Sequence, residues 1–304
     1  MSINLRRLRA FVTVAKTHSV TEAARRLHLS PPAVTKSVHE LEATLAVELL
    51  RRTGSGMQLT PAGDLFLLYA ERALLEVEKG QEEVRLLMGG VGGRVMIGMT
   101  SEAAVHVMPM AVARLIQRRP QIEVSMDGGT FEQHQRDVKT GKLDVFLCVV
   151  PPQGIDNGLV AEPVYTTELK VVVRPGHPLA QRPALSLQDL TAYRWVQSSR
   201  SGLLDQLLRQ CFVDAGLAFP ENSIVIGPLS SLHSILRRTD LVAAAAGLRI
   251  LEELERRQLV VLPISLPSTR HVVSLVRRED AYLSTWAKEL IDELDVVVRE
   301  MEAC

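Results

Sequence analysis

The sequence contains little of what marks a secreted, membrane-bound or disulfide-stabilised protein. It has three cysteines in 304 residues, which gives no disulfide framework and fits a reducing compartment. Arg6, Arg7 and Arg9 are followed by an amphipathic pattern instead of an uninterrupted apolar run, so we expect no signal peptide. No apolar stretch is long enough to span a bilayer. These absences predict a cytoplasmic protein without a membrane partner.

Catalytic and metal-binding signatures are also missing. The chain has no Gly-x-Ser-x-Gly elbow, no phosphate-binding Gly-x-x-x-x-Gly-Lys motif, no His-Glu-x-x-His and no Cys-x-x-Cys. Its eight histidines are scattered and are not grouped at ligand spacing. We therefore expect no enzyme activity, no metal and no cofactor. Cys148 and Cys211 leave open the alternative of a redox-sensing regulator, although cysteine in an apolar segment is more often a small core residue.

The net charge of the whole chain is formally zero, but the charge is unevenly distributed. Residues 1–60 hold nine basic and four acidic residues, a net charge of +5. A basic segment within a neutral chain is what phosphate binding requires. The sequence therefore predicts nucleic acid as a partner of the N-terminal fifth.

Two helix-start signals separated by a short turn lie within this basic segment. Ser19 followed three residues later by Glu22 matches a capping box. Ser30 followed by Pro31 matches an N-cap and a first helical position. Apolar residues recur at three- and four-residue steps on both helices, which predicts one buried face on each. This pattern is typical of a helix-turn-helix.

The second of these helices begins with small or basic residues on its outward face. We predict that this face holds Pro32, Ala33, Thr35, Lys36, Ser37 and His39. Side chains of this kind can approach base edges and phosphates in the major groove. Arg51 and Arg52 then precede a Gly-Ser-Gly turn and a short apolar and polar alternation, which predicts a two-stranded wing. The alternative is an ordinary helical hairpin with a solvated basic face.

A long helix is expected to follow the wing, from residue 61 to 88. Its apolar residues recur at alternating steps of four and three, which is the pattern of a coiled-coil seam. These residues are Phe66, Ala70, Ala73, Val77, Gly80, Val84 and Leu87. The seam predicts a homodimer, and the alternative is a helix packed against its own domain. Glycines within residues 89–93 end the helix and predict a hinge.

The motifs of the first 63 residues resemble those of the LysR-type transcriptional regulators. The resemblance lies in the winged helix-turn-helix, the run Leu-Ser-Pro-Pro-Ala-Val-Thr-Lys, and Leu-Thr-Pro-Ala-Gly at residues 59–63. The family usually has Gln at the position of Pro31, so one side-chain contact is absent here. The resemblance implies that the residues facing DNA are Ser30, Pro32, Ala33, Thr35, Lys36 and Arg52. It also implies a homodimer or homotetramer that acts with RNA polymerase.

Residues 94–304 alternate β-branched strands with helical stretches, which predicts an α/β domain with mostly parallel sheets. Prolines near residues 151–163 and 262–267 indicate two crossings between lobes. The resemblance implies two lobes around a cleft, similar to periplasmic binding proteins. We expect lobe I to comprise residues 94–162 and 268–304, and lobe II residues 163–267.

Hydroxyl-bearing residues follow several of the predicted strands and precede helices. Ligands in such sheets bind beyond the carboxyl ends of the strands, so we predict an effector site there. Its residues are Thr100, Ser101, Glu102, Thr130, Phe131, Ser199 and Ser230. The alternative is that the hydroxyls only cap helices. Hydroxyls and helix N-termini favour a small organic carboxylate or sulfonate, whereas Glu102 argues against a bare anion.

The sequence thus predicts a ligand-responsive DNA-binding regulator. An effector between the lobes is expected to change their arrangement, and the hinge at 89–93 to pass the change to the paired linker helices. A competing interpretation is a solute-binding protein without a DNA role. The two differ in the salt dependence of DNA binding, which is steep only for a protein that contacts phosphates.

Overall fold

The structure is a computed structural model that describes residues 3–54, 56–90, 92–100, 106–197, 202–221, 223–226, 229–246, 250, 254 and 256–302. Ser101, Glu102 and Ser199, three of the predicted effector residues, lie outside the described residues. Within the described ranges, no helix is both long and apolar enough to cross a bilayer.

The N-terminal domain consists of three helices and a β-hairpin. The elements are α1 (Leu5–Thr17), α2 (Val20–Leu27), α3 (Pro31–Leu45), β1 (Leu50–Thr53) and β2 (Gly56–Leu59). Phe11 of α1, Ala23 of α2, and Val34 and Leu41 of α3 are fully buried in a common core. The two strands pair antiparallel from Leu50 opposite Leu59 to Thr53 opposite Gly56. The predicted winged helix-turn-helix is confirmed.

A single long helix, α4 (Pro61–Leu87), leaves this domain. Thr60 caps it: its hydroxyl oxygen accepts a hydrogen bond from the Gly63 N–H at 3.0 Å and donates to the Glu48 carbonyl at 2.7 Å. A Cβ at Gly63 would collide with the Leu49 carbonyl oxygen. The Leu-Thr-Pro-Ala-Gly motif therefore joins the linker helix closely to the segment that leads into the wing.

The first part of the predicted coiled-coil seam packs inside its own domain. Ala70 is 1% exposed, and the ring of Phe66 lies 5.7 Å from that of Phe11. Their assignment to an intermolecular seam was wrong, because a heptad pattern does not identify the partner of the apolar face. Further along α4 the apolar side chains are exposed. We call the exposed set the apolar stripe: Leu65, Tyr69, Ala73, Gly80, Val84 and Leu87.

Lobe I is built on a five-stranded sheet in the order β4-β3-β5-β12-β6. Its strands are β3 (Gly93–Met99), β4 (Ile122–Gly128), β5 (Val145–Val149), β6 (Leu159–Thr167) and β12 (His271–Arg278), and its helices are α5 (Val107–Arg118), α6 (Phe131–Thr140) and α10 (Thr285–Glu302). Alternate residues of β5 face opposite layers. Val145 and Leu147 pack with α5 and α10, while Phe146 and Cys148 pack with α6.

Lobe II holds a three-stranded sheet, β10-β7-β11, and a parallel pair, β8-β9. Its elements are β7 (Leu169–Val173), α7 (Leu187–Leu190), β8 (Val196–Gln197), α8 (Leu203–Asp214), β9 (Ile224–Val225), α9 (Leu229–Leu236), β10 (Ala243–Ala246) and β11 (Val260–Val261). Short 3-10 helices occupy Pro178–Gln181 and Pro267–Thr269. Trp195 packs against Phe212 and Phe219 in the core of this lobe.

The α/β organisation of the C-terminal part is confirmed, but its sheets are mixed and not mostly parallel. β3, β4 and β5 are parallel, whereas β12 returns from lobe II and runs antiparallel between β5 and β6. The sheet of lobe II is antiparallel.

The boundaries of the lobes also differ from those predicted. β6 passes through Pro163 and stays paired with β12 up to Thr167, so the first crossing is at Glu168 and not between 162 and 163. The pairing shifts register beside Pro163, and β6 tolerates the proline because it is an edge strand. At the second crossing Ser268 bonds to Asp214 of lobe II, and lobe I resumes only with β12.

Candidate nucleic-acid interface and effector cavity

The predicted DNA-facing residues of α3 share the outward side of its first two turns. Ser30, Pro32 and Lys36 are exposed, and Ala33 and Thr35 are half-buried. Ser30 is the N-cap by position, but no side-chain hydrogen bond caps this helix. Its hydroxyl is therefore not used in capping, and Pro31 at the first helical position provides the start instead.

Ser37 does not belong to this outward face. It is 8% exposed, and its hydroxyl donates to the Ala33 carbonyl at 2.9 Å. The prediction that Ser37 faces outward was wrong, because the hydroxyl is satisfied by the preceding turn of its own helix. His39 is exposed as predicted, next to Glu42 at 3.3 Å.

The charge of Lys36 is available on the surface of α3. Its side chain is 78% exposed, and its ammonium lies 4.0 Å from Glu40, at the limit of an ion pair. Glu40 is bound more closely by Arg7 of α1, whose Nε and Nη2 donate to the same carboxylate oxygen at 3.1 and 2.8 Å. Arg7 thus neutralises the acidic residue nearest to Lys36, which leaves Lys36 to meet a phosphate.

The wing places Arg51 and Arg52 on an exposed strand. It is fixed to the end of α1, because the Met57 N–H donates to the His18 carbonyl at 2.9 Å. Gly56 has a φ of +123°, and a Cβ there would lie 2.6 Å from the same carbonyl oxygen. Glycine is required at this close approach.

The capping box predicted at the start of α2 is only half formed. The Ser19 hydroxyl accepts a hydrogen bond from the Glu22 N–H at 3.3 Å, as predicted. The Glu22 carboxylate, however, accepts from Arg25 at 2.9 and 2.7 Å and from Arg26 at 2.9 Å instead of reaching back to Ser19. These hydrogen bonds lower the pKa of Glu22 to about 2. Part of the basic charge of this segment is therefore already paired.

A cavity of about 440 Å³ lies between the two lobes. It meets the carboxyl ends of β3, β4 and β5, where ligands bind in sheets of this kind. Its lining comprises Thr100, Gly129, Thr130, Phe131, Glu132, Val149, Pro151, Pro152, Gln153, Gly202, Leu203, Leu204 and Gln206. The volume suits a small organic molecule.

Three of the predicted effector residues meet in this cavity. Thr100 comes from the end of β3, and Thr130 and Phe131 from the start of α6. The Thr130 oxygen caps α6 by accepting from the Gln133 N–H at 3.2 Å, which leaves its hydroxyl proton for another acceptor. Ser230 is exposed on α9 and does not line the cavity.

Phe131 and His134 both contact Phe146, but only Phe131 reaches the cavity. The rings of Phe131 and Phe146 are 5.9 Å apart in an edge-to-face arrangement, which fixes the cavity wall. His134 is 1% exposed, and its Nε2 lies 3.1 Å from the Met99 carbonyl. His134 is thus a core residue.

Sequence reasoning missed the amide and carboxylate groups of the cavity. Glu132 adjoins the predicted Thr130 and Phe131, while Gln153 follows two prolines at the lobe boundary. Gln206 comes from the first turns of α8 in lobe II. No local motif marks these residues, and Gln206 joins the other two only because lobe II faces lobe I across the cavity.

The two described cysteines are free and buried. Burial raises the pKa of Cys148 to about 12 and also raises the pKa of Cys211. Both the burial and the raised pKa disfavour the reactive thiolate that redox sensing requires. Among the described residues, no group of three His, Cys, Asp or Glu is arranged to hold a metal ion.

Two family descriptions together match most of the chain. Residues 5–64 match "Bacterial regulatory helix-turn-helix protein, lysR family", and residues 88–297 match "LysR substrate binding domain". The HTH-type transcriptional regulator GalR of Pseudomonas putida is 30% identical over 97% of this chain and 74% of its own length. PcaQ of Agrobacterium fabrum is 29% identical over 91% of this chain and 89% of its own length.

Solved structures of similar proteins share the fold. Full-length OxyR from Pseudomonas aeruginosa matches 98% of this chain and 95% of its own with a TM-score of 0.68 and 19% identity. CbnR, solved with its target DNA, matches 97% of this chain and 100% of its own with a TM-score of 0.65 and 19% identity.

Proposed function

The chain belongs to the LysR family of bacterial transcriptional regulators, and from that premise we propose how its two ends work together. It is a ligand-responsive DNA-binding regulator and not an enzyme. A solute-binding protein without a DNA role would not account for the match over residues 5–64.

The proposed DNA-binding form is a homodimer held by the apolar stripe of α4. Leu65, Tyr69, Val84 and Leu87 are each 60% or more exposed, which is costly for a helix without a partner. Ala73 and Gly80 in the middle of the stripe favour close approach of two helices. Two-fold symmetry then places two copies of α3 on a pseudo-palindromic site. A homotetramer would use the C-terminal lobes, and RNA polymerase is the expected partner on the promoter.

The proposed effector is a small organic molecule in the cavity between the lobes. The observation that carries this proposal is the cavity itself, which joins Thr100 and Thr130 of lobe I to Gln206 of lobe II. α6 and α8 both begin at the cavity, and helix N-termini favour negative charge. We therefore propose a carboxylate or sulfonate. Glu132 would accept a hydrogen bond from a hydroxyl on the same molecule.

In this proposal the effector favours one arrangement of the lobes and thereby alters the half-site spacing or the bend of the bound DNA. Effector and DNA must then change each other's affinity by the same factor. A footprint and a bend that stay the same with and without bound effector would contradict this mechanism.

The effector proposal is tested on the full chain by thermal unfolding with a panel of small hydroxylated aromatic carboxylates and sulfonates. A compound at a hundred times its Kd stabilises the folded state by about 2.7 kcal/mol. Thr130→Val removes a hydroxyl from the cavity wall and is expected to abolish the rise in unfolding temperature that the compound causes. Ser230→Ala, outside the cavity, is the matched control and is expected to keep it. A shift that survives Thr130→Val but is lost in Ser230→Ala would place the effector elsewhere.

A further inference from the structure

Helix α6 reaches from the cavity to the linker helix. Its N-cap Thr130 and first residues Phe131 and Glu132 line the cavity. Its C-cap, Gly141, has a φ of +79°, and a Cβ there would lie 2.6 Å from the Leu75 side chain of α4. The ten residues of α6 span about 15 Å. One rigid element therefore contacts both the cavity and α4.

One face of α4, from residue 72 to residue 83, is polar and is bound to lobe I. Its residues are spaced by four, three and four positions and so lie on the same side of the helix. We call them the polar face: Arg72 pairs with Asp280, Glu76 with Arg278, Lys79 with Asp144, and Glu83 with Thr285. Glu83 accepts from the Thr285 N–H at 2.9 Å and from its hydroxyl at 2.8 Å, which caps α10.

The pair between Lys79 and Asp144 is anchored in the interior of lobe I. The Asp144 side chain is 5% exposed. One carboxylate oxygen accepts from Lys79, and the other accepts from the Met96 N–H of β3 at 2.9 Å. A buried carboxylate tolerates few arrangements of its partner, because losing the partner leaves an uncompensated charge.

The second ion pair, in which only Arg278 is buried, lies beside the C-terminal end of α6. The Arg278 side chain is 6% exposed and donates to Glu76. Its Nη1 would lie 3.7 Å from a Cβ on Gly141, the C-cap of α6. A cation near the C-terminus of a helix is favoured by the helix dipole. The C-terminal end of α6 and the Glu76 side chain of α4 thus lie on either side of the buried Arg278 guanidinium.

We propose that α6 passes effector binding from the cavity to the linker helix through these two ion pairs. The inference rests on the proposed function, because it takes the cavity to be the effector site. A ligand that displaces Phe131 and Glu132 moves α6 as a unit. The close packing of Gly141 on Leu75 transmits that movement to α4 beside Lys79 and Glu76. This route bypasses the glycines at 89–93.

The test places a covalent occupant in the cavity of the full chain and measures hydrogen exchange in α4. Gln153→Cys, in a Cys304→Ser background, is labelled with bimane, while Cys148 and Cys211 are protected by burial. The amides of residues 72–83 are expected to change their exchange rates at least about twofold on labelling. The same label on Gln188→Cys, exposed in lobe II, is expected to leave them unchanged.

Two double variants of the labelled protein test whether the signal passes through the ion pairs. Lys79→Met with Asp144→Asn removes the pair without leaving a lone buried charge and is expected to abolish the response of residues 72–83. Lys16→Met with Glu71→Gln removes an ion pair of 2.8 Å between α1 and α4 that does not involve lobe I, and is expected to keep it. Circular dichroism confirms that each variant is folded.

Two results would overturn the inference. In one, labelling changes exchange only around residues 129–135 and leaves residues 72–83 as they were. In the other, the response of α4 persists in the Lys79 and Asp144 double variant. Failure to find any small-molecule ligand would count against the proposed function alone, since the covalent label occupies the cavity in either case.

Discussion

The structure predicts that Arg52 and Arg25, both exposed arginines of the basic domain, differ in their effect on DNA binding. Arg52 stands on the wing and, in the part of the chain that the structure describes, forms no ion pair. Arg25 donates two hydrogen bonds to the Glu22 carboxylate, at 2.9 and 2.7 Å. A charge that is already paired releases fewer counterions when it meets a phosphate. Arg52→Ala should therefore reduce the salt dependence of the affinity for DNA more than Arg25→Ala does.

The magnitude follows from counterion release. Each lost phosphate contact reduces the slope of log affinity against log salt by about 0.9, or about 1.8 for the two wings of a dimer. Between about 50 and about 200 mM salt, the fall in affinity should then be about twelvefold smaller for Arg52→Ala than for the unaltered protein. Arg25→Ala should change the slope by less than half as much.

Fluorescence anisotropy of a labelled duplex at a series of salt concentrations measures both slopes. Circular dichroism checks that the two variants fold alike. Equal slopes for the unaltered protein and Arg52→Ala would refute the placement of the wing on the DNA backbone. Equal effects of the two substitutions would refute the argument that Glu22 already neutralises Arg25.

Three further predictions concern stability and reactivity. Gly63→Val should destabilise the N-terminal domain by more than about 2 kcal/mol in chemical denaturation, because the side chain collides with the Leu49 carbonyl; unchanged stability would contradict this. Burial lowers the pKa of His177 below its ordinary 6.5, so the unfolded state binds the proton first and stability should fall as the pH drops below about 6.5. His177→Asn, which keeps an acceptor for the Leu179 N–H, should flatten that dependence, and an equally steep dependence would count against it. Cys148 should resist alkylation at neutral pH in the native protein but react in denaturant, and rapid native labelling would revive the redox alternative.

Local signals predicted the elements of the N-terminal domain well but not the partners of their side chains. Ser19 caps α2 as its position suggests, whereas Glu22 binds two arginines further along the same helix. The heptad pattern likewise indicated a buried face on α4, yet Phe66 and Ala70 fill the core of their own domain. A sequence pattern fixes which side of a helix is apolar, and tertiary packing decides what covers it.

The same limit applies to the C-terminal part. Thr100 and Thr130 were predicted for the cavity because the ends of parallel strands meet at one edge of a sheet. Gln206 was not, because an amide side chain within a helix carries no local signature of a binding site. Pro163 was interpreted as part of a crossing between lobes, but it lies within the edge strand β6, where proline is tolerated because the open side needs no N–H.

The long linker helix also sets a scale for regulation. Its first turns pack in the N-terminal core and residues 72–83 are bound to lobe I, so the part from residue 61 to residue 83 joins the two over about 33 Å. A rotation of about 5° over that length displaces one end by about 2.9 Å, which is comparable to the roughly 3.4 Å rise of one base pair. In the proposed mechanism, a rotation of this size would displace the recognition helix by a distance comparable to one base-pair step.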